Sequence, residues 1–387
     1  MAKESNSPSD AVRGGNERNS STIELFFDLV FVYAITQVVT TIHHDLSLVG
    51  LAQGAFLLGL LWWTWSVYTW TTNWTGTDGV SIRLFLLAAM GATLFMAMAV
   101  PDAFGEGALW FGIAYFTVRL FAAGLYWVAS EAYPEQRAAF FTFFPLSFSA
   151  AFLVLAGSFL ESPWLWILWI AGAALDAFSA INAGKGIWAV DAKHFAERNG
   201  LFVIIALGES IVGIGLAAAG VERDLIHTTA IAMAFVTAAA LWWSYFDKAA
   251  PNAEAHFTSA HGKERGRFAR DAYSVLHYPL VVGIVFFAVA AEEVVTHPSD
   301  PLGTIATTAL TGGVILVLLA MVAVTYRAGG MILTARIVAA VLIVVVGWVG
   351  ASLPAITLAA IVTMIVVATL MWEHNTVWTE RNRSASV

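Results

Sequence analysis

A succession of apolar stretches, each about twenty residues long and separated by short polar turns, runs through almost the whole of this 387-residue chain. A helix of that length crosses a hydrocarbon core of roughly 30 Å. Inside a bilayer only helices and closed barrels satisfy their own backbone groups, and stretches this long and continuous are helical. The stretches fall at about 23–42, 48–72, 81–100, 107–130, 138–160 and 163–182, then 198–219, 225–246, 271–291, 302–326, 331–352 and 354–372. The expectation is an all-α polytopic membrane protein of about twelve transmembrane helices.

Composition agrees. Hydrophobic residues make up 59% of the chain and charged residues 12%, about half the charge of a soluble domain. Cysteine is absent, which excludes disulfides, thiolate metal sites and cysteine nucleophiles. Nothing points to a nucleic-acid partner, and the lipid bilayer is the first partner implied. With the N-terminus inside, 17 of the 19 Lys and Arg residues, Arg198 and Arg336 among them, fall in cytoplasmic segments; Arg223 falls outside and Arg119 within a span. That alternation predicts twelve spans with both termini cytoplasmic, in the bacterial cytoplasmic (inner) membrane. Residues 1–21 read as a disordered cytoplasmic tail too polar for a cleaved signal, and 374–387 as a second cytoplasmic tail.

An internal repeat is also expected. Asp28 is followed 34 residues later by Trp62-Trp63 and Glu209 33 residues later by Trp242-Trp243, while Pro163 and Pro354 each open the last span of a half. Two parallel six-helix repeats follow, 22–182 and 183–373, since an even number of spans returns the chain to the same side.

A carboxylate in a lipid-spanning helix costs roughly 2.5–3.5 kcal/mol on insertion scales, so each one needs a partner or water and is by default a candidate site. In ELFFDLVFVYAIT, Glu24 and Asp28 share a helix face with Phe31 and Ile35. Glu209, in GLFVIIALGES, lies about 16 Å beyond Arg198 and near mid-membrane, beside Gly208; that glycine, with Gly213 and Gly215 further on, would let a helix or substrate approach closely. Arg119 needs a counter-charge from Asp28, Asp176 or Glu209. Asp176 reads equally well as a helix-end acid facing cytoplasmic water.

His194, Glu197 and Arg198 form the entrance to the seventh span. A metal or proton role for His194 and Glu197 is weaker than a polar rim. His277 is placed to hydrogen-bond an acid, with an ordinary titration near neutral pH. His43-His44-Asp45 reads as an exposed turn and Glu292-Glu293 as a solvated cap. Trp62, Trp63 and Trp65 are mid-span, where each indole N–H needs an acceptor; Asp28 is one candidate, as Glu209 is for Trp242 or Trp243.

Nucleotide, hydrolase and metalloprotease motifs are absent, no metal or other cofactor is implied, and no catalytic residue is assigned. The chain is therefore not read as an enzyme.

ELFFDLVFVYAITQ, WWTWSVYTW, HFAERNGLFVIIALGES and LWWSYFD, the last ending at Asp247, together resemble the bacterial low temperature requirement A family over about 22–375. The resemblance implies a polytopic inner-membrane protein named for growth in the cold, and supplies no molecular activity. FFDLVFVYAIT, with Phe27 and Asp28, is also similar to the F-S-D first-helix motif of the endolysosomal potassium and proton channel family. That likeness implies six-span repeats, a homodimer with four repeats around one axis, and a pore constricted at Phe31 or Ile35. Phe27 replaces the serine of that motif, Thr22 stands at its arginine, and the second repeat has Gly208-Glu209 in its place. The function expected is a channel or proton-coupled carrier for an ion or small solute. The alternatives are a scaffold or sensor and, last, a lipid-modifying enzyme using His194 and Glu197.

Overall fold

A computed structural model of the chain describes residues 19–130, 134–183 and 190–384. Helices occupy nearly all of it: α1 (Thr22–His44), α2 (Leu48–Thr75), α3 (Val80–Met98), α4 (Ala108–Ser130), α5 (Pro134–Gly157) and α6 (Trp164–Ala183). They continue as α7 (Ala192–Ala219), α8 (Leu225–Ser259), α9 (Gly262–Thr296), α10 (Thr304–Gly329), α11 (Thr334–Val349) and α12 (Ala355–Ser384). Among the described residues ten helices are long and apolar enough to cross a membrane, and the chain is a multi-pass membrane protein. Two of the twelve expected spans are shorter. The sixteen residues of α11 rise about 24 Å, less than the hydrocarbon thickness. The apolar part of α5, Phe143–Gly157, carries Pro145, which cannot donate to the helix ladder.

The helix starts are written locally. Ser21 caps α1 and forms a capping box with Glu24; Asp191 caps α7 through the His194 N–H (3.2 Å). The first tail expected at 1–21 thus ends in an ordered cap, while residues 1–18 lie outside the described residues. At the other end α12 continues as helix to Ser384.

Helix neighbours follow one order in both halves. α1 packs on α2 and α3, α3 on α4, α4 on α5 and α5 on α6; α7 packs on α8 and α9, α9 on α10, α10 on α11 and α11 on α12. The halves meet where α1 and α2 face α7 and α9. The tightest crossing described is between α9 and α10, where a Cβ on Gly283 would lie 2.5 Å from the Gly313 carbonyl oxygen and one on Gly313 2.7 Å from that of Gly283. Backbones this close pack by van der Waals contact, which is what holds helices together where lipid removes the hydrophobic drive.

The stretch 248–270, between the runs expected to span at 225–246 and 271–291, is a helical hairpin. α8 and α9 are each 35 residues long, about 52 Å, and each contains a π-helical segment, Tyr245–Ala249 and Ala269–Val275. The hairpin buries Ala253, Phe257 and Phe268 against Phe195, Tyr126 and Val324 in a second, smaller core beyond the main one. Arg336, counted among the cytoplasmic basic residues, is also buried: its guanidinium binds both oxygens of Glu373 (2.9 and 3.0 Å) and the Ser244 carbonyl (3.0 Å). A bidentate partner is what allows an arginine to leave water.

Candidate functional site

The seam between α1 and α7 carries the buried charge. Glu24 and His194 are each three residues beyond the N-cap of their helix, and His194 Nε2 lies 3.2 Å from Glu24 Oε2. One turn further, Asp28 and Arg198 are each seven residues beyond the cap, with Arg198 Nη2 donating to Asp28 Oδ1 at 2.8 Å. Two pairs in the same order mean that α1 and α7 run parallel. The i, i+4 spacing read in the sequence thus serves a ladder between helices.

Neighbours fix the ladder in place. Trp65 Nε1 donates to the same Asp28 oxygen (2.8 Å), and the Arg198 guanidinium lies 5.7 Å from the Trp65 ring centre. Asn73, near the end of α2, contacts His194 Nδ1 (3.1 Å), donates to the Asp191 carbonyl and accepts from the Asp191 N–H. Among the described residues Asp28 Oδ2, Glu24 Oε1 and Arg198 Nε and Nη1 are buried without a hydrogen-bond partner.

Beyond the ladder the seam is apolar. Phe31 and Phe202 face each other across it (ring centres 6.3 Å), with Trp62 and Trp65 on Phe202 (5.0 and 4.5 Å); Ile35, one turn further along α1, is buried as well. Trp62 Nε1 donates to the Ser274 carbonyl (2.7 Å), so this indole takes a backbone acceptor and not an acid.

On the far side of that layer Glu209 accepts from Thr36 Oγ1 (2.7 Å). His43 lies a further turn and more along α1, 3.2 Å from Glu292 and 3.7 Å from Glu293 on α9. It belongs to the last turn of α1 and not to an exposed turn, and the two glutamates face it, so they are more than a solvated cap. Gly213, one turn past Glu209, admits the Glu292 carboxylate: a Cβ there would fall 2.3 Å from Glu292 Oε1. A Cβ on Gly208 or Gly215 would meet nothing within 4 Å, so of the three glycines expected to admit a close approach only Gly213 does so here.

Asp28 and Glu209 are not equivalent in depth. Glu209 stands eighteen residues beyond its cap and Asp28 seven, a difference of about 16 Å along the helix. The residue of α7 in the register of Asp28 is Arg198.

The other expected site residues lie apart from this seam. Arg119 of α4 pairs with Asp176 of α6 (2.8 Å), and the Ser147 hydroxyl of α5 sits against Arg119 and donates to Asp176 (2.6 Å). Asp176 is therefore a buried partner, not a water-facing helix end. Ser147 lacked any sequence signal, being one small hydroxyl in a run of Phe and Ser.

His277 is fully buried and contacts the Tyr245 hydroxyl (2.8 Å) and the Ala272 carbonyl (2.7 Å), so it meets no acid. Trp242 and Trp243 are about half exposed on the outer face of α8, away from Glu209, and Asp247 is exposed as well. Trp63 is half-buried against a cavity on the other face of α2.

Glu197 points outward, accepting from the Ser20 N–H (3.2 Å), while His194 points inward, so the two do not converge on a metal. Among the described residues no group of three or more His, Asp or Glu could hold a metal ion. Thr36 and Asn73 went unassigned in the sequence; a polar side chain inside an apolar run was their one available signal.

The arrangement sets two carboxylates, an imidazole and a guanidinium on one side of an aromatic layer and a single buried carboxyl on the other. It presents no nucleophile set against a general base.

The family model for the bacterial low temperature requirement A protein (LtrA) matches residues 19–371. A protein of Rhizobium meliloti (strain 1021), described as uncharacterized, is 32% identical over 310 residues, covering 75% of this chain and 72% of that one.

Proposed function

We propose a transport function for this chain, which belongs to the bacterial low temperature requirement A (LtrA) family: it conducts or carries a proton or small cation along the α1–α7 seam. One observation carries the reading. A cluster of four buried ionisable groups lies near the start of the α1–α7 pair, a buried acid, Glu209, lies about 16 Å further along it, and a layer of aromatic side chains closes the space between them.

Charge in a lipid-spanning helix is costly, and here it is placed where a path would need it. Glu24, His194, Asp28 and Arg198 form the inner entrance. Asp28 attracts or relays the cation, Phe31, Ile35 and Phe202 form the closed gate, and Glu209 with Thr36 takes up the proton beyond it. His43, Glu292 and Glu293 are the outer mouth. The constriction at Phe31 or Ile35 implied by the channel-family likeness falls at this gate.

The chain crosses the bacterial inner membrane twelve times with both termini inside, α5 and α11 included. Its basic residues support that orientation, and the shared order of helix neighbours and the parallel run of α1 and α7 support two six-helix repeats. The homodimer implied by the channel-family likeness would set two such seams side by side.

The test is proton and potassium flux into liposomes containing the purified protein, wild type beside Glu209→Gln. Glutamine keeps the acceptor for Thr36, so folding is preserved while the proton site is lost. Flux that disappears in Glu209→Gln supports the reading; equal flux in both proteins removes Glu209 from the path. A second reading, a non-transporting scaffold or sensor, is favoured by the direct Asp28–Arg198 pair, which neutralises its own charge. Absence of wild-type flux for every ion tried would select it.

A further inference from the structure

Asn73, in the last turn of α2, is buried, and both ends of its amide are fixed by one residue at the start of α7. Its Oδ1 accepts from the Asp191 backbone N–H (2.8 Å) and its Nδ2 donates to the Asp191 carbonyl (3.0 Å). A backbone N–H only donates and a carbonyl only accepts, so this pair decides which end of the amide is nitrogen. Turned over, the amide would set donor against donor and acceptor against acceptor.

Nδ2 carries two hydrogens, and the Asp191 carbonyl takes one of them. The other meets His194 Nδ1 at 3.1 Å. A ring nitrogen that accepts there carries no hydrogen of its own, which places the ring proton on Nε2. Nε2 faces Glu24 Oε2 at 3.2 Å, an oxygen that also accepts from the Ser21 N–H (2.9 Å) and hydroxyl (2.8 Å). Flipping the ring would put carbon at both positions and lose both contacts. His194 is itself buried, so its two nitrogens are committed to these two neighbours.

The charge of the inner cluster follows. Glu24 Oε2 meets three donors, and Asp28 Oδ1 meets Trp65 Nε1 and Arg198 Nη2, the acceptor-only role of carboxylates. Two carboxylates, one guanidinium and an imidazole with a single ring proton leave one negative charge in excess. An imidazolium would cancel that excess, but its Nδ1–H would point at the Asn73 Nδ2 hydrogen.

We propose that Asn73 is a positioning residue that holds His194 in the Nε2–H tautomer, as a fixed donor to Glu24, and so keeps the inner cluster negative. The consequence for cargo rests on the transport reading above. A negative entrance favours a cation over an anion, and does so without a mobile proton on His194. A relaying histidine takes a proton at one nitrogen and releases one from the other; with Nδ1 filled by an amide, His194 has no such exit.

The test is NMR of isotope-labelled histidine ring nitrogens in the detergent-purified full chain near neutral pH. His194→Gln identifies the His194 signals by their loss. Wild type is expected to show a protonated Nε2 and an unprotonated, hydrogen-bonded Nδ1. Asn73→Asp keeps the shape and the acceptor for the Asp191 N–H, but turns an acceptor towards Nδ1. The Nδ1 signal should then shift to that of a protonated nitrogen, which a role confined to packing would not produce.

A proton on Nδ1 in wild type, or an Nδ1 signal unmoved in Asn73→Asp, would overturn the proposal. If that variant does not fold, the wild-type spectrum alone decides the tautomer. Ion flux in liposomes is a separate readout. Absence of wild-type flux would remove the transport reading and leave the tautomer to the NMR result, whereas chloride passing in preference to potassium would overturn the negative entrance.

Discussion

Asp28 and Arg198 stand 170 residues apart in the chain, each seven residues past the N-cap of its helix, and are joined by a 2.8 Å hydrogen bond inside the bundle. Removing one partner of such a buried pair leaves the other charged and unpaired, which costs about 3–5 kcal/mol, whereas replacing both with apolar groups of similar size is close to neutral. Asp28→Asn and Arg198→Met should each lower stability by about that amount. The double variant should recover much of the loss. Unfolding in detergent of the two single variants and the double variant measures the coupling, and simple additivity would show that the pair contributes nothing as a pair.

Phe202 closes the seam against Phe31, Trp62 and Trp65. Phe202→Ala should cost about 3–5 kcal/mol of stability, as aromatic truncations in cores do. If the layer is a gate, the same variant should raise ion leak in liposomes above wild type. A destabilised protein with unchanged leak would make Phe202 a packing residue alone.

Thr36 is the described donor to Glu209. Thr36→Val keeps the shape and removes the hydroxyl, leaving that carboxylate oxygen short of a partner at a cost of about 1–3 kcal/mol. Proton flux measured as a function of pH should shift its midpoint relative to wild type, because the hydroxyl favours the charged carboxylate. An unchanged profile would separate Thr36 from the proton site.

Two glycines make opposite predictions. Gly283→Ala would push a methyl to 2.5 Å from the Gly313 carbonyl, a backbone atom that cannot move aside without parting α9 from α10. Loss of about 1–3 kcal/mol or more is expected. Gly208→Ala meets open space and should be neutral or slightly stabilising through helix propensity. Thermal unfolding of the two variants side by side checks the contrast.

Asp224 caps α8 and accepts from the His227 backbone N–H (2.9 Å) and contacts the His227 ring (2.7 Å), which holds its carboxyl below the usual carboxylate range. A lowered value means the cap's contribution is fully present above the ordinary carboxylate range. It is lost as pH falls through the lowered value. Hydrogen exchange at the first turn of α8 should therefore stay protected near neutrality and open at strongly acidic pH, and Asp224→Ala should remove the protection at every pH.

Class and helix content were readable in the sequence because they depend on local quantities. The length of an apolar run decides whether a segment can span, and Ser21 or Asp191 followed by a helical stretch announces where α1 or α7 begins. Ten of the twelve expected spans are helices of full crossing length among the described residues; α11 is apolar but short, and the apolar part of α5 is interrupted at Pro145.

Pairing was not readable in this way. Asp28 was matched with Glu209 through two Trp-Trp pairs, yet the register set by the caps matches Asp28 with Arg198, a residue that hydropathy had placed in a cytoplasmic segment. Arg336 misled for the same reason, since a single charge cannot show whether its partner, here Glu373, waits 37 residues away inside the bundle. By itself the sequence determined that this protein is a membrane-embedded helical chain of the LtrA family, with carboxylates and bases where lipid disfavours them. Only the tertiary structure decided which of those charges meet, because partner choice depends on the rotation and depth of packed helices, to which one-dimensional hydropathy is blind.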